Sequence, residues 1–260
     1  MLKRMLRYVL LIVLIGLAFV LVIEINSQSP SQVLKDLIVN NSLNNPALNL
    51  KLNYLVIIPV GEAKLVNLGE ERFRGADLIH IRAEAKTFDY IASIFHSKAT
   101  VDSYIDPKNL DSLYFLQDME MINKPRENKE IRYDQKKHIM TYVGPRGVEE
   151  RVIDEHAQDP LSAIFYVESK KFWIGEEFRL SLNTNQKNYI IIGKFVSIES
   201  IQISGKNYEV MLVEARVGRK DKNPRHQAKL KIWFLDYQGK RIPILIKAMT
   251  NIGPIVARAR

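Results

Sequence analysis

One short acidic stretch carries the side-chain types that proton-transfer chemistry needs: Asp154, Glu155 and His156 in succession, with Asp159 three residues on. A carboxylate beside an imidazole can act as general acid and base once folding brings both within hydrogen-bond reach of a substrate. The same residues also read as a polar loop whose last member, Asp159, caps a helix, and that plainer reading is preferred. A second stretch, Arg216, Arg219, Lys220, Lys222 and Arg225, then Lys229 and Lys231, is the densest run of positive charge. It reads either as a claw for phosphates or uronic acids or as a solvated hairpin loop, since Asp221, Asn223 and Pro224 interrupt it.

Other chemistries are poorly served. The chain has no cysteine, which removes disulfides, thiolate nucleophiles and thiolate metal sites. Of the five histidines (His80, His96, His138, His156 and His226) no two stand at metal-ligand spacing, so no metal site and no cofactor is expected. Nucleophile-elbow, Walker A and dinucleotide-binding glycine patterns are all missing. Carboxylates brought together only by folding leave no linear signature, so an enzyme remains an open alternative.

The elements that must position these residues are mostly strands. Over Ala76–Thr87, Ile79, Ile81, Ala83 and Ala85 alternate with His80, Arg82, Glu84 and Lys86, the pattern of a strand with one wet face. His80 is accordingly expected to be solvated. Leu50–Val60 alternates likewise, with a turn or bulge expected at Gly61. Ala228–Asp236 and Ile242–Ala248 repeat the period. Turn-forming residues at 106–109, 134–137, 144–147, 204–207 and 237–240 separate the runs. About a dozen short strands with tight reversals demand antiparallel neighbours.

One segment differs. Asp159-Pro160 supplies an N-cap and a first-turn proline, and Leu161, Ile164, Phe165 and Glu168 follow at helical spacing. A short helix laid into the concave face of the sheet is predicted here, and Phe88–Phe95 reads as either a second helical turn or an irregular edge. Phe165, Tyr166, Phe172, Trp173, Trp233 and Phe234 read as packing residues.

The amino terminus points to export. Lys3, Arg4 and Arg7 precede an apolar run, Tyr8–Ile23, that ends at Glu24. Basic residues before an apolar run keep the terminus in the cytoplasm and send the rest across the membrane. No A-x-A-like site follows, so a transmembrane anchor is preferred over a cleaved signal. The expected organisation is an anchor or signal over 1–25, a polar tether over 26–49 and a β-rich extracytoplasmic domain over 50–260. Residues 1–25 hold three cations and one carboxylate, so +7 of the net +9 lies beyond them. Such an excess favours anionic surfaces, while export disfavours nucleic acid.

Gln158-Asp159-Pro160-Leu161-Ser162-Ala163 followed by Tyr166 resembles the exported bacterial family known as domain of unknown function 3108. Tyr54 with Ile58-Pro59-Val60-Gly61-Glu62-Ala63 is similar to that family's opening strand. Ile232-Trp233-Phe234-Leu235-Asp236 through Arg241-Ile242-Pro243 resembles its penultimate hairpin, and Ile252-Gly253 its closing strand. The resemblance, over roughly residues 50–260, implies an envelope location and a mostly antiparallel β domain. It transfers no catalytic residue. The anchor read from Tyr8–Ile23 would make the chain single-pass at the bacterial inner membrane with the domain on the periplasmic side, or a cleaved signal would release it to the periplasm.

These readings together predict a mainly β fold, either a curved antiparallel sheet or a partly closed β-barrel, with one inserted helix. The expected function is a non-enzymatic envelope module binding an anionic lipid, a glycan or another envelope component. The alternatives are a polysaccharide-active enzyme using Asp154, Glu155 and Asp159, and a purely structural domain.

Overall fold

The computed structural model describes residues 47–259, apart from 55–56, 93–95, 146, 185, 204–205, 222–227, 238–239 and 251–252. Fourteen strands form one sheet in which every neighbouring pair is antiparallel. In chain order they are β1 (Ala47–Tyr54), β2 (Ile58–Phe73), β3 (Ala76–Thr87), β4 (Ser97–Ile105), β5 (Ser112–Met121), β6 (Glu127–Asp134), β7 (Ile139–Gly144) and β8 (Gly147–Val152), then β9 (Glu177–Thr184), β10 (Lys187–Ile203), β11 (Lys206–Arg219), β12 (Ala228–Tyr237), β13 (Lys240–Thr250) and β14 (Gly253–Ala259). Neighbours in sequence are neighbours in space, as short reversals require. The exception is decisive for shape: β1 pairs with β14, joining the two ends of the meander. The sheet therefore has its two open edges at β8 and β9, which are consecutive in the chain, and it is not closed.

The connection between those edges holds the helix. Helix α2 (Pro160–Ser169) starts at Asp159, while the shorter α1 (Asp89–Ala92) is a helical turn near Phe88. Inside the curve of the sheet, α2 touches β3 and β4 on one side and β9 and β13 on the other. Leu161 and Phe165 pack with Ile81, Val101, Phe115 and Tyr133, whereas Ala163, Ile164 and Val167 pack with the core of β9–β14. Alternation makes one face of each strand apolar, and the helix lies between the two halves of that face.

Small polar stitches span the gap between the edges. Gln158 bridges to β9 through Ser181 (2.8 Å) and Asn183 (2.7 Å). Asn188 Nδ2 donates to the Val152 carbonyl at 2.8 Å.

Two sequence expectations need correction. The first reversal falls between Tyr54 and Ile58, so Gly61 is neither a turn nor a bulge but an interior position of β2. A Cβ there would sit 2.4 Å from the Lys86 carbonyl, so the glycine permits close approach of β3. His80 is buried, with 3% of its surface exposed, because it stacks on the Tyr104 ring between Asp102 and Glu71. The predicted segment Tyr8–Ile23 lies outside the described residues, among which no helix is long and apolar enough to cross a membrane.

Candidate functional site

Asp159 is fully buried and accepts four hydrogen bonds. The backbone N–H groups of Leu161 (2.7 Å) and Ser162 (3.0 Å) reach one oxygen, and the hydroxyls of Ser103 (2.6 Å) and Ser112 (2.5 Å) reach the other. Ser162 Oγ reciprocates by accepting from the Asp159 N–H, which completes a capping box. Burial raises the Asp159 pKa, and the four donors oppose that rise without cancelling it. This carboxylate therefore ties the helix start to β4 and β5 instead of facing solvent.

Asp154, Glu155 and Asp159, the carboxylates of the enzyme alternative, have separate partners. Asp154 pairs with Lys220 at 2.5 Å. Burial raises the Asp154 pKa, but its bonds to Lys220 and Ser181 hold it below the usual carboxylate range. Glu155 is exposed, 3.7 Å from His156 Nε2. His156 has a partner the sequence did not indicate: its Nδ1 lies 2.9 and 3.0 Å from the two carboxylate oxygens of buried Asp111. The imidazole itself is exposed and sits on a backbone with φ of 54°. A buried carboxylate orienting an exposed imidazole can serve as a general base.

Charge on the outer face of the sheet is arranged in cross-strand rows. Cross-strand pairing puts Arg179 of β9, Ile192 of β10, Arg216 of β11, Lys229 of β12 and Met249 of β13 side by side. All five are exposed. Neighbouring strands lie about 4.8 Å apart, so the row spans roughly 19 Å. It contains three cations and no carboxylate. The parallel row two residues away, Glu177, Lys194, Glu214, Lys231 and Lys247, sets two carboxylates against three cations: Lys231 pairs with Glu214 at 2.5 Å and Lys194 with Glu177 at 3.8 Å. Lys247 stands over the Trp233 ring.

Only part of the expected basic claw joins the cationic row. Arg216 belongs to it, Arg219 is paired with Asp221 and Lys220 with Asp154, while Lys222 and Arg225 lie outside the described residues. Arg179 was not foreseen, because 37 residues of sequence separate it from Arg216. Its charge also helps to hold the Asp154 pKa down.

The far half of the outer face carries a closed polar network. His80 Nε2 lies 2.6 Å from Asp102, its Nδ1 3.1 Å from Glu71, and Arg82 Nε donates to Asp102 at 2.6 Å. The Tyr104 ring stacks between His80 (4.4 Å) and Phe73 (3.8 Å). Burial, with the Glu71 and Asp102 charges, pushes the Tyr104 phenol up to about 12. Arg74, at the hairpin tip, makes a bidentate pair with Glu130 at 2.6 and 2.8 Å. Among the described residues no group of three or more His, Cys, Asp or Glu side chains could hold a metal ion.

The model of a family described as protein of unknown function (DUF3108) matches residues 49–260. The chain belongs to the DUF3108 family. No curated protein matches the sequence. The crystal structure of a beta-barrel-like protein of domain of unknown function DUF1849 from Brucella abortus is similar in fold, with a TM-score of 0.52. Sequence identity is 8%, and the match covers 82% of this chain and 94% of that one. So low an identity speaks to the fold alone. For this DUF3108 domain the barrel-like description agrees with a sheet joined through β1 and β14 and open between β8 and β9.

Proposed function

We propose that this DUF3108 domain is a non-enzymatic envelope module that engages the anionic groups of an envelope amphiphile or polysaccharide. In this reading Tyr8–Ile23 anchors the chain in the inner membrane and residues 26–46 space the domain on the periplasmic side, since Ala47–Asn49, expected in the tether, already pair with β2. The reading is carried by one observation: Arg179, Arg216 and Lys229 form an acid-free row bordered by exposed Ile192 and Met249. Unneutralised cations beside apolar side chains suit a headgroup that bears phosphate or carboxylate on an apolar body.

The test uses the full chain in neutral detergent, titrated with short-chain phosphatidylglycerol, short-chain phosphatidylcholine and oligogalacturonate. Binding of the anionic ligands only, weakening with salt, is expected. Each cation near an anionic surface contributes about 1 kcal/mol, so reversing Arg179, Arg216 and Lys229 to Glu lowers affinity about a hundredfold or more. Preference between the two anionic ligands separates lipid from glycan. Equal binding by the triple variant overturns the assignment.

A second reading rests on the Asp111–His156 dyad, whose geometry suits general-base hydrolysis of an envelope ester or polysaccharide. Here an activity lost in both His156→Ala and Asp111→Asn, with folding retained, is the expected signature.

A further inference from the structure

We propose that β8 is a self-pairing edge, through which two copies of this chain join antiparallel about a two-fold axis at Glu150. The inference is independent of the anion-binding row, which lies on β9–β13.

Edge strands with open backbone groups recruit other strands unless they are covered. Among the described residues no strand covers β8, although Asn188 reaches the Val152 carbonyl and Arg151 pairs with Glu149 of its own strand at 2.6 Å. Val148 is 67% and Val152 74% exposed, and the side chains on both of its faces are exposed or half-exposed. Backbone parity fixes which groups are offered. Ile153 N–H bonds to the His138 carbonyl across the β7 side, and Gly147, Glu149 and Arg151 stand opposite Gly144, Tyr142 and Met140 in the same phase. Residues between them face the other way. The Val152 carbonyl confirms the phase, since it receives Asn188 Nδ2 from outside the β7 ladder. Val148, Glu150 and Val152 thus direct their N–H and C=O groups to the open edge, where no strand of the described residues pairs with β8. The Val152 carbonyl keeps a second lone pair for a ladder bond.

A two-fold antiparallel ladder must centre on a single residue of this strand. Centring on Glu149 sets Glu149 against itself and Val148 against Glu150. Centring on Arg151 sets two arginines together. Centring on Glu150 alone pairs Val148 with Val152 of the second copy, and Glu149 with Arg151 of the second copy. It also overlaps the longest run of open backbone groups. Opposite charges and apolar pairs across a ladder stabilise it, and like charges oppose it. The one mismatch, Glu150 against Glu150, makes the pairing weak and reversible.

The absence of native cysteine makes the register directly readable. Single cysteines are placed at each of 148–152 in the full chain in neutral detergent and oxidised. Hydrogen-bonded antiparallel partners have Cα atoms about 5.5 Å apart, within disulfide reach. Glu150→Cys is expected to form dimers at least about tenfold faster than any other single variant. Mixing Val148→Cys with Val152→Cys should give the heterologous crosslink. R151E is expected to slow the Glu150→Cys crosslink, and E149R/R151E to restore it. Glu150→Pro leaves the β7 pairing intact, because that N–H faces away from β7, and should leave only monomer in sedimentation. Even crosslinking along β8, a maximum at another position, or no rescue by the charge swap overturns the proposal.

Discussion

The outer face of this sheet handles charge in two opposite ways. On β2–β6 the cations meet carboxylates: Arg82 on Asp102, Arg74 and Arg132 on Glu130, Arg126 on Asp118, Lys86 on Glu62. On β9–β12 a whole row, Arg179, Arg216 and Lys229, has no acidic member. The positive excess of the chain is therefore localised, and it is localised by register rather than by sequence clustering. A neutralised face stabilises its own hairpins, whereas an unneutralised one leaves its field available to a partner.

The sharpest way to separate the two halves is to remove a carboxylate that is partly buried in the neutralised one. Burial alone would raise the Asp102 pKa, but hydrogen bonds from His80 and Arg82 lower it below the ordinary value. A depressed carboxylate pKa supplies stability that is present above the unfolded value and is lost as pH falls through the folded one. Asp102→Asn removes the carboxylate that Arg82 and buried His80 share. A loss of about 3 kcal/mol is expected at pH 7, measured by denaturant unfolding. Anion binding by the folded fraction should be unchanged. A variant that binds as before but unfolds no more easily would erase the distinction.

A carboxyl with no cation gives the opposite sign. Glu168 is half-buried on the inner side of α2, and burial alone raises its pKa from 4.5 to about 8. The folded state then keeps a proton that the unfolded chain has released. Stability from this group is complete below pH 4.5 and falls as pH rises toward 8. Glu168→Gln should remove that decline. It should match the parent at pH 4 and be about 2 kcal/mol more stable at pH 8, less than the full linkage value because the side chain keeps some solvent contact. Parallel stability curves across this range would show that Glu168 is well solvated.

Converting one half into the other is the third test. Ile192 stands directly between Arg179 and Arg216, so Ile192→Glu writes a carboxylate into the cationic row. About tenfold weaker anion binding is expected, with stability within about 0.5 kcal/mol because the site is exposed. Loss of binding with Ile192→Gln as well would mean that the apolar side chain, not the charge pattern, carries recognition.

What could be read from the chain beforehand divides along the same line between local and non-local information. The helix was legible because Asp159, Pro160 and Ser162 act within one turn, and each strand was legible because alternation is a local period. Three features were not: the β1–β14 pairing, the burial of His80 beneath Phe73 and Tyr104, and the union of Arg179 with Arg216. Each depends on which residues face one another across strands distant in sequence. A bulge such as those at Asn67/Gly69 and Phe195/Ser197 shifts that register without an evident mark in the composition. For the Asp154–Glu155–His156 stretch the preferred reading, a polar loop ending in the helix cap Asp159, was legible, and the partner of His156 was not. The carboxylate that holds His156 is Asp111, 45 residues earlier, while Asp159 turns inward to serve the helix.

The smallest expected effect asks whether freed cations are enough. Glu130 takes Arg74 in a bidentate pair and Arg132 at 2.6 Å, and these bonds overcome burial to hold its pKa below the usual range. Glu130→Gln therefore releases two arginines on the half that is otherwise neutralised. Placed in the Ile192→Glu background, it should recover anion affinity by only about twofold, which corresponds to roughly 0.4 kcal/mol. Recovery is small because Arg74 remains held over the rings of Phe73 and Tyr114, 5.4 and 5.1 Å from their centroids. An arginine fixed against aromatic faces presents less of its field than three side chains in an acid-free row. Full recovery would mean that net charge alone governs binding, and the cross-strand row would then have no special standing.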